Sequence, residues 1–413
     1  MTSKFNPDQL VLELIGDDER GYDFITTQDV LALKALSSDQ GVLTLYMDTR
    51  ADRLQSEPLL LRYKNLVAPV RERITDRNAL LLFDAVVKDI GKRLELNYGR
   101  PRGRGLAIFA APKKYSPKRD RQVKYQLFLD YHLPEAPQDF LTWGPTPALT
   151  PLLIQIDEHE PTGIVLADRR RARFFLYYMG EAAEYNIVEI DETPAKTKAV
   201  GWGAHNHEQW QEEHYRQHFR NVAALTDIIA RKAEWKWLIL AGPDEIPAEL
   251  AGYLSKSLRQ KLLGHTTMSM NATYNDVRDK AAPLVQEAEV REEKETLETF
   301  VGELARSNGR AVAGLADTTL AAQEARIDTL IFPPDFTHPG WQCESCGGLI
   351  ADLAEAPPPK CIYCGGPLKE IPDVVSLAAA QTLNLGGHVE VVRNKENQAI
   401  IKTNGNIGAL LRF

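Results

Sequence analysis

Cysteine is scarce and confined. The 413-residue chain holds four, all between Cys343 and Cys364, with none elsewhere for them to pair with. Nothing therefore argues for a disulfide framework or secretion, and the expected compartment is the cytoplasm. No apolar run approaches the ~18 residues needed to span a bilayer, so no membrane partner is expected. The opening MTSKFNPDQLVLELIGDDER lacks the basic-then-apolar layout of a signal peptide. Several catalytic signatures are also absent. There is no phosphate-binding glycine loop, no G-x-S-x-G, no H-E-x-x-H and no Cys–His pair suited to nucleophilic work.

What is present is the composition of a globular protein, 44% apolar and 26% charged. A chain this long exceeds one core, which predicts two to four domains. The net charge of −8 argues against a uniformly basic surface, but the charge is uneven. Residues 100–124 hold nine basic side chains and one acid, Asp120, a local +8 that leaves −16 for the rest. Such asymmetry points to one face that meets a polyanion.

Along the chain, 1–37 reads as a helical lead-in and 41–48 as a β-rich strand. A long helical region follows from Glu57 to Leu96, broken near Asp76, with strands at 105–110 and 125–129 after it. The basic loop between those strands interleaves Lys113, Lys114, Lys118, Arg119 and Arg121 with Tyr115, a pattern suited to nucleic acid. Its plainer reading is a solvated turn between edge strands. Pro134 to Pro151 carries five prolines and reads as a linker. Apolar strands at 162–168, 173–178 and 237–243, with a helix at 250–263, predict an α/β block. A very acidic helix at 285–305 opens the last block. Within that block a helix is expected at 318–325 and strands at 327–332, 388–393 and 399–403. The fold class is accordingly α/β and α+β multidomain. Residues 1–150 form an N-terminal α/β domain with the basic hairpin, 151–282 a central α/β domain, and 283–413 a C-terminal α/β domain with a zinc ribbon at 341–367.

Two features carry function. Cys343-x2-Cys346, fourteen residues, then Cys361-x2-Cys364 is the spacing of two metal knuckles. The trailing Gly347-Gly348 and Gly365-Gly366 permit the close backbone approach that knuckles need. Four thiolates make a closed, structural Zn2+ site; an iron–sulfur or redox centre is the alternative that spacing leaves open. The second feature is the stretch from Gly201 on. A loose Gly201-Trp202-Gly203-Ala204 turn leads into a polar helix with His205, Asn206, His207, Trp210 and His214, and an apolar stripe begins only at Phe219. It reads as an arm reaching toward a partner, or as a mobile surface loop with stray aromatics. His214 and His218, four apart, are taken as solvent-side or RNA-facing.

The order of these pieces resembles archaeal and eukaryotic class-1 release factors and the related rescue factor pelota. The resemblance rests on 41–48, 105–110, 152–180, 237–243, 293–330 and 389–413, and on the placing of the zinc pairs. It implies three domains as in those proteins, with the ribbon inserted in the third. Release factors carry Gly-Gly-Gln on the central arm. Here that place reads Gly201-Trp202-Gly203-Ala204-His205, and the codon-reading Asn-Ile-Lys-Ser motif is missing from the first domain. The resemblance thus implies a ribosome binder without codon reading or peptide release, not an enzyme. Its nearest functional type is the bacterial hibernation factors of the Balon type, which occupy the A site. The implied partners are the ribosome through its rRNA, tRNA, and an elongation-factor-type GTPase. The implied RNA contacts are Trp202, Gly203, Ala204, His205, Asn206 and His207 on the arm, together with the basic hairpin. The alternatives are a pelota-like rescue factor with an ATPase partner, a metal-dependent hydrolase using His207, Glu208 and His214, and residual release through His205.

Overall fold

The computed structural model describes residues 13–15, 32, 33, 35, 36, 38, 41–97, 105–112, 125–133, 137–186, 204–306, 309–351, 359–371 and 373–413. The chain divides into two compact units. One combines 1–24 with 159–291, and the other combines 25–158 with 292–413.

The first unit is built on a six-stranded sheet with strands in the order Glu13–Ile15, Glu181–Asn186, Ala172–Tyr178, Thr162–Ala167, Trp237–Gly242 and Leu262–Thr267. The last three run parallel, and the others are antiparallel to their neighbours. Alternation along the buried strands sends side chains to two faces. Val165, Phe174, Leu238 and Leu240 pack against Phe219, Val222, Leu225 and Ile229 of the helix Ala204–Lys232. Ile164, Leu166, Phe175 and Ile239 pack against Val277, Ala281 and Val285 of the helix Tyr274–Arg306. The result is a three-layer α/β/α sandwich. The strand at 13–15 corrects the expected helical lead-in. The expected single helix at 250–263 is two short ones, Ile246–Ala251 and Lys256–Lys261, followed by the edge strand. The break comes at Ser255, whose Oγ accepts from the Leu258 N–H and starts a second helix.

Among the described residues, the second unit holds three sheets. In the antiparallel sheet Tyr125–Leu133, Gly105–Pro112, Val42–Asp48 and Phe140–Gly144, Leu43, Leu45 and Ile108 pack against Phe83, Val86 and Ile90 of the helix Arg77–Asn97. The stretch expected to be a linker supplies one of these strands, because Phe140 stacks on buried Tyr46 at 4.9 Å. A second sheet, in the order Ala311–Ala313, Gly408–Leu411, Ile327–Phe332, His388–Val391, is covered by the helices Leu315–Gln323 and Val374–Asn384. The third sheet, Leu349–Ala351, Gly340–Cys343 and Leu368–Ile371, is the cysteine ribbon. Residues 399–403, expected as a strand, lie in the helix Lys395–Thr403. Asn394 caps that helix by accepting from the Glu396 and Asn397 N–H groups. The acidic helix is longer than expected and passes from the first unit at Arg291 to the second at Glu292.

Strand His388–Val391 is an edge whose outward N–H groups are capped rather than left open. Asp157 Oδ2 accepts from Val389 N at 2.6 Å, and Glu158 Oε1 from Val391 N at 2.9 Å. Both acids end the helix Thr150–Glu158. Glu158 also holds Arg393 by two bonds of 2.6 and 2.7 Å, while buried Glu293 accepts from Arg393 N and from Asn397 Nδ2, each at 2.7 Å.

Candidate metal centre and nucleic-acid interface

The two cysteine pairs fold into matching turns. Cys343 N donates to Gly348 O and Gly347 N to Cys343 O, both at 2.9 Å. The second turn repeats this with Cys361 N to Gly366 O at 2.9 Å and Gly365 N to Cys361 O at 2.8 Å. Gly347 and Gly365 have φ of +73° and +76°, the left-handed region where a Cβ is penalised. Gly348 and Gly366 serve a different need. A Cβ on Gly366 would lie 2.6 Å from Ser345 Oγ, and one on Gly348 would lie 2.8 Å from Tyr363 Cδ2. The turns therefore close only around glycine.

The four sulfur atoms lie within 4.8 Å of one another. Cys343 Sγ is 3.4 Å from Cys364 Sγ, and Cys346 Sγ is 3.8 Å from Cys361 Sγ. A tetrahedral ion bound at ~2.3 Å holds its sulfurs about 3.8 Å apart, so the arrangement fits one ion. A cluster would spread the same thiolates over two or more irons. Backbone N–H groups of Ser345 and Cys346 point at Cys343 Sγ at 3.4 and 3.5 Å. The Cys346 N–H is the main cause that draws the Cys343 thiol down to about 6, toward the thiolate a metal requires. At Cys364 the Gly366 N–H acts in the same direction, but the neighbouring sulfurs of Cys343 and Cys346 outweigh it and push that thiol up to about 12. That opposition is expected of four sulfurs crowded into a space meant for a cation. Cys343 and Cys361 are buried, whereas Cys346 and Cys364 are exposed. Among the described residues these cysteines are the single cluster of metal-ligating side chains.

The predicted RNA contacts are placed less fully. Lys113, Lys114, Tyr115, Lys118, Arg119 and Arg121 lie outside the described residues, between the paired strands Gly105–Pro112 and Tyr125–Leu133. Trp202 and Gly203 also lie outside them. Ala204, His205, Asn206, His207 and Glu208 begin the helix Ala204–Lys232, and their side chains are not among those described. Further along, Glu212 and Glu213 are exposed and His214 is half-buried. His218 is buried at 3% exposure and tilted against Phe219, which corrects its expected solvent-side placement. Phe219 draws that turn onto the sheet, and the preceding residue goes in with it. Among the described residues, no helix is long and apolar enough to cross a membrane.

The fold is thus a multidomain α/β architecture with a four-cysteine ribbon. The model for "Bacterial archaeo-eukaryotic release factor family 10" matches residues 147–286. Peptide chain release factor subunit 1 of Pyrococcus abyssi is 22% identical over 273 residues, covering 61% of this chain and 66% of that relative. The same factor of Methanocaldococcus jannaschii is 22% identical over 417 residues, covering 92% and 96%. The crystal structure of Archaeoglobus fulgidus pelota matches with a TM-score of 0.34 and 14% identity, over 75% of this chain and 84% of that one. Residues 147–286 thus match that family's model, and the wider chain is similar to archaeal release factors at 22% identity over 61–92% of its length.

Proposed function

We propose that this protein is a ribosome-binding translation factor that occupies the A site of idle ribosomes without hydrolysing peptidyl-tRNA, a cytoplasmic hibernation factor rather than an enzyme. The observation that carries this reading is the sequence at the foot of the arm helix. Residues 201–205 read Gly-Trp-Gly-Ala-His, and Gly-Gly-Gln occurs nowhere in the chain. A site that hydrolyses an ester must admit both the ester and a water. Trp202 adds bulk there, and His205 supplies no carboxamide. The three blocks 1–150, 151–282 and 283–413 act as three modules. The first, with its hairpin around Lys113–Arg121, contacts rRNA near the decoding region. The arm residues 202–207 reach rRNA or tRNA near the peptidyl-transferase centre, where aromatic rings stack on unpaired bases. The third faces an elongation-factor-type GTPase. Its ribbon holds one Zn2+ through Cys343, Cys346, Cys361 and Cys364, and four thiolates leave no coordination position open for a substrate.

Two assays test this together. The protein is sedimented with vacant 70S ribosomes over a salt series, and it is added to ribosomes loaded with peptidyl-tRNA. Binding that weakens as salt rises, with no peptide released above background, is the expected result. Failure to sediment at moderate ionic strength, or release of nascent chains, refutes the proposal. Binding confined to stalled ribosomes, followed by subunit splitting, assigns the protein to rescue instead.

A further inference from the structure

Two segments of the first unit, 227–236 and 255–261, meet at the end of the sheet where strands Trp237–Gly242 and Leu262–Thr267 begin. They are tied together by Ser255 Oγ donating to Asp227 Oδ1 at 3.0 Å and by Lys261 Nζ donating to Trp235 O. Arg231, Lys232, Lys256 and Arg259 are exposed there, and Lys261 is half-buried. Three of these cations donate to neutral carbonyls: Arg231 Nε to Asp227 O at 3.1 Å, Arg259 Nη2 to Gly252 O at 2.8 Å, and Lys261 to Trp235 O. A carbonyl bond fixes a side chain but leaves its charge standing. The nearby carboxylates are Asp227, engaged by Ser255, and Glu234; Glu160 pairs with Lys236 at 3.0 Å.

Local structure explains part of this cluster. Arg231 and Lys232 close the helix Ala204–Lys232, and Arg259 and Lys261 close the helix Lys256–Lys261, where cations suit the helix dipole. Lys256 has no such reason. It opens its helix, the end where a cation opposes the dipole. A concentration of positive charge on a chain of net −8, extended past what the fold rewards, points to an anionic partner. The helix Ala204–Lys232 has the arm at one end and this patch at the other, about 43 Å apart for its 29 residues. A partner that meets both must be large.

We propose that this basic end of the first unit binds the sugar–phosphate backbone of a structured RNA, anchoring the arm helix at the end opposite its tip. The choice of RNA as the polyanion rests on the ribosome-binding reading above. The test uses the full chain and the variant Arg231→Ala/Lys232→Ala/Lys256→Ala/Arg259→Ala, which leaves Lys261 and its Trp235 bond in place. Binding to a fluorescein-labelled RNA duplex is followed by anisotropy across a potassium chloride series, with Lys280→Ala/Lys294→Ala as the control. The quadruple variant should lose roughly tenfold in affinity, and its slope of log affinity against log salt should fall by about 2 to 3, given ~0.7–0.9 per phosphate contact. The control should change neither. An unchanged slope and affinity in the quadruple variant, or no duplex binding by the wild type, overturns the proposal. Weakened ribosome sedimentation with unaltered duplex binding also overturns it, since the patch would then meet an acidic protein. Wild type that binds the duplex through the patch but never sediments with ribosomes refutes A-site occupancy alone.

Discussion

Glu390 offers a test of how the second unit is held together. It lies on the edge strand His388–Val391, between two valines that face the core. Burial first, then the carboxylates of Glu158, Glu293 and Glu292, push its carboxyl up to about 8, and Arg393 offsets only part of this. Folded protein therefore keeps this proton up to about pH 8, whereas the unfolded chain releases it near 4.5. Between those values the folded state binds more protons, so stability falls as pH rises, by about 1.4 kcal/mol per pH unit, and levels off above the folded value. Glu390→Gln keeps the shape and removes the titration. Its stability advantage over wild type should grow by about 3 kcal/mol between pH ~5.5 and ~8. Urea unfolding at both pH values, with hydrogen exchange of peptides spanning 388–397 as the local readout, measures this. Parallel pH dependence in the two proteins would show that the carboxylates around Arg393 do not share one enclosed site, and the reasoning would fail.

Other perturbations bear on the ribbon and the arm. Cys361→Ser should reduce bound metal, measured by plasma mass spectrometry, from one ion per chain to well below that, and chelation should then raise hydrogen exchange over 340–371 in wild type. Gly366→Ala should weaken metal binding because its Cβ meets Ser345, and adding Ser345→Gly should restore much of it; failure to restore would place the strain elsewhere. Phe219→Ala, at a site with no solvent exposure, should cost about 3–5 kcal/mol in thermal or urea unfolding. Deleting 205–211, seven residues or two helical turns, should shorten the arm by about 10 Å while keeping its apolar stripe nearly in register. Thermal stability should hold while ribosome sedimentation drops, and equal sedimentation would deny the arm its role.

The parts of this fold legible in the sequence are those whose causes are local. The cysteine spacing encodes its own geometry, because each pair and its two glycines close a turn without help from the rest of the chain. Strands at 162–167 and 237–242 are short apolar runs because helices cover both faces of their sheet, and 42–48 is marked by its β-rich composition. The stripe from Phe219 to Ile229 fixed which half of its helix is packed. Misreadings came where distant partners decide. Residues 399–403 have the β-branched look of a strand, but Asn394 caps a helix and Ile401 turns into the core beside Phe300. The prolines at 134–151 suggested a linker, yet Tyr46, nearly a hundred residues earlier, recruits Phe140 into a sheet. Ser255 looked like part of one helix and is the cap of another. No local pattern could have shown that Asp157 and Glu158 close the edge of a strand more than two hundred residues away.

That long-range closure bears on the points where the chain leaves the second unit. Beyond its passage at Phe24–Ile25, the chain makes two crossings between its units, at Glu158–His159 and at Arg291–Glu292. On the second unit's side, each crossing is fastened within two residues, by Glu158 to Val391 and Arg393, and by Glu293 to Arg393, Asn394 and Asn397. Buried carboxylates with several donors are costly to unmake, at about 1–3 kcal/mol for each donor left unsatisfied. The crossings are therefore held fast where they leave the second unit. In the first unit, the arm helix is sealed to the sheet from Phe219 onward. These buried acids thus secure the second unit's own backbone at the points where the chain leaves it, without contributing any chemistry of their own.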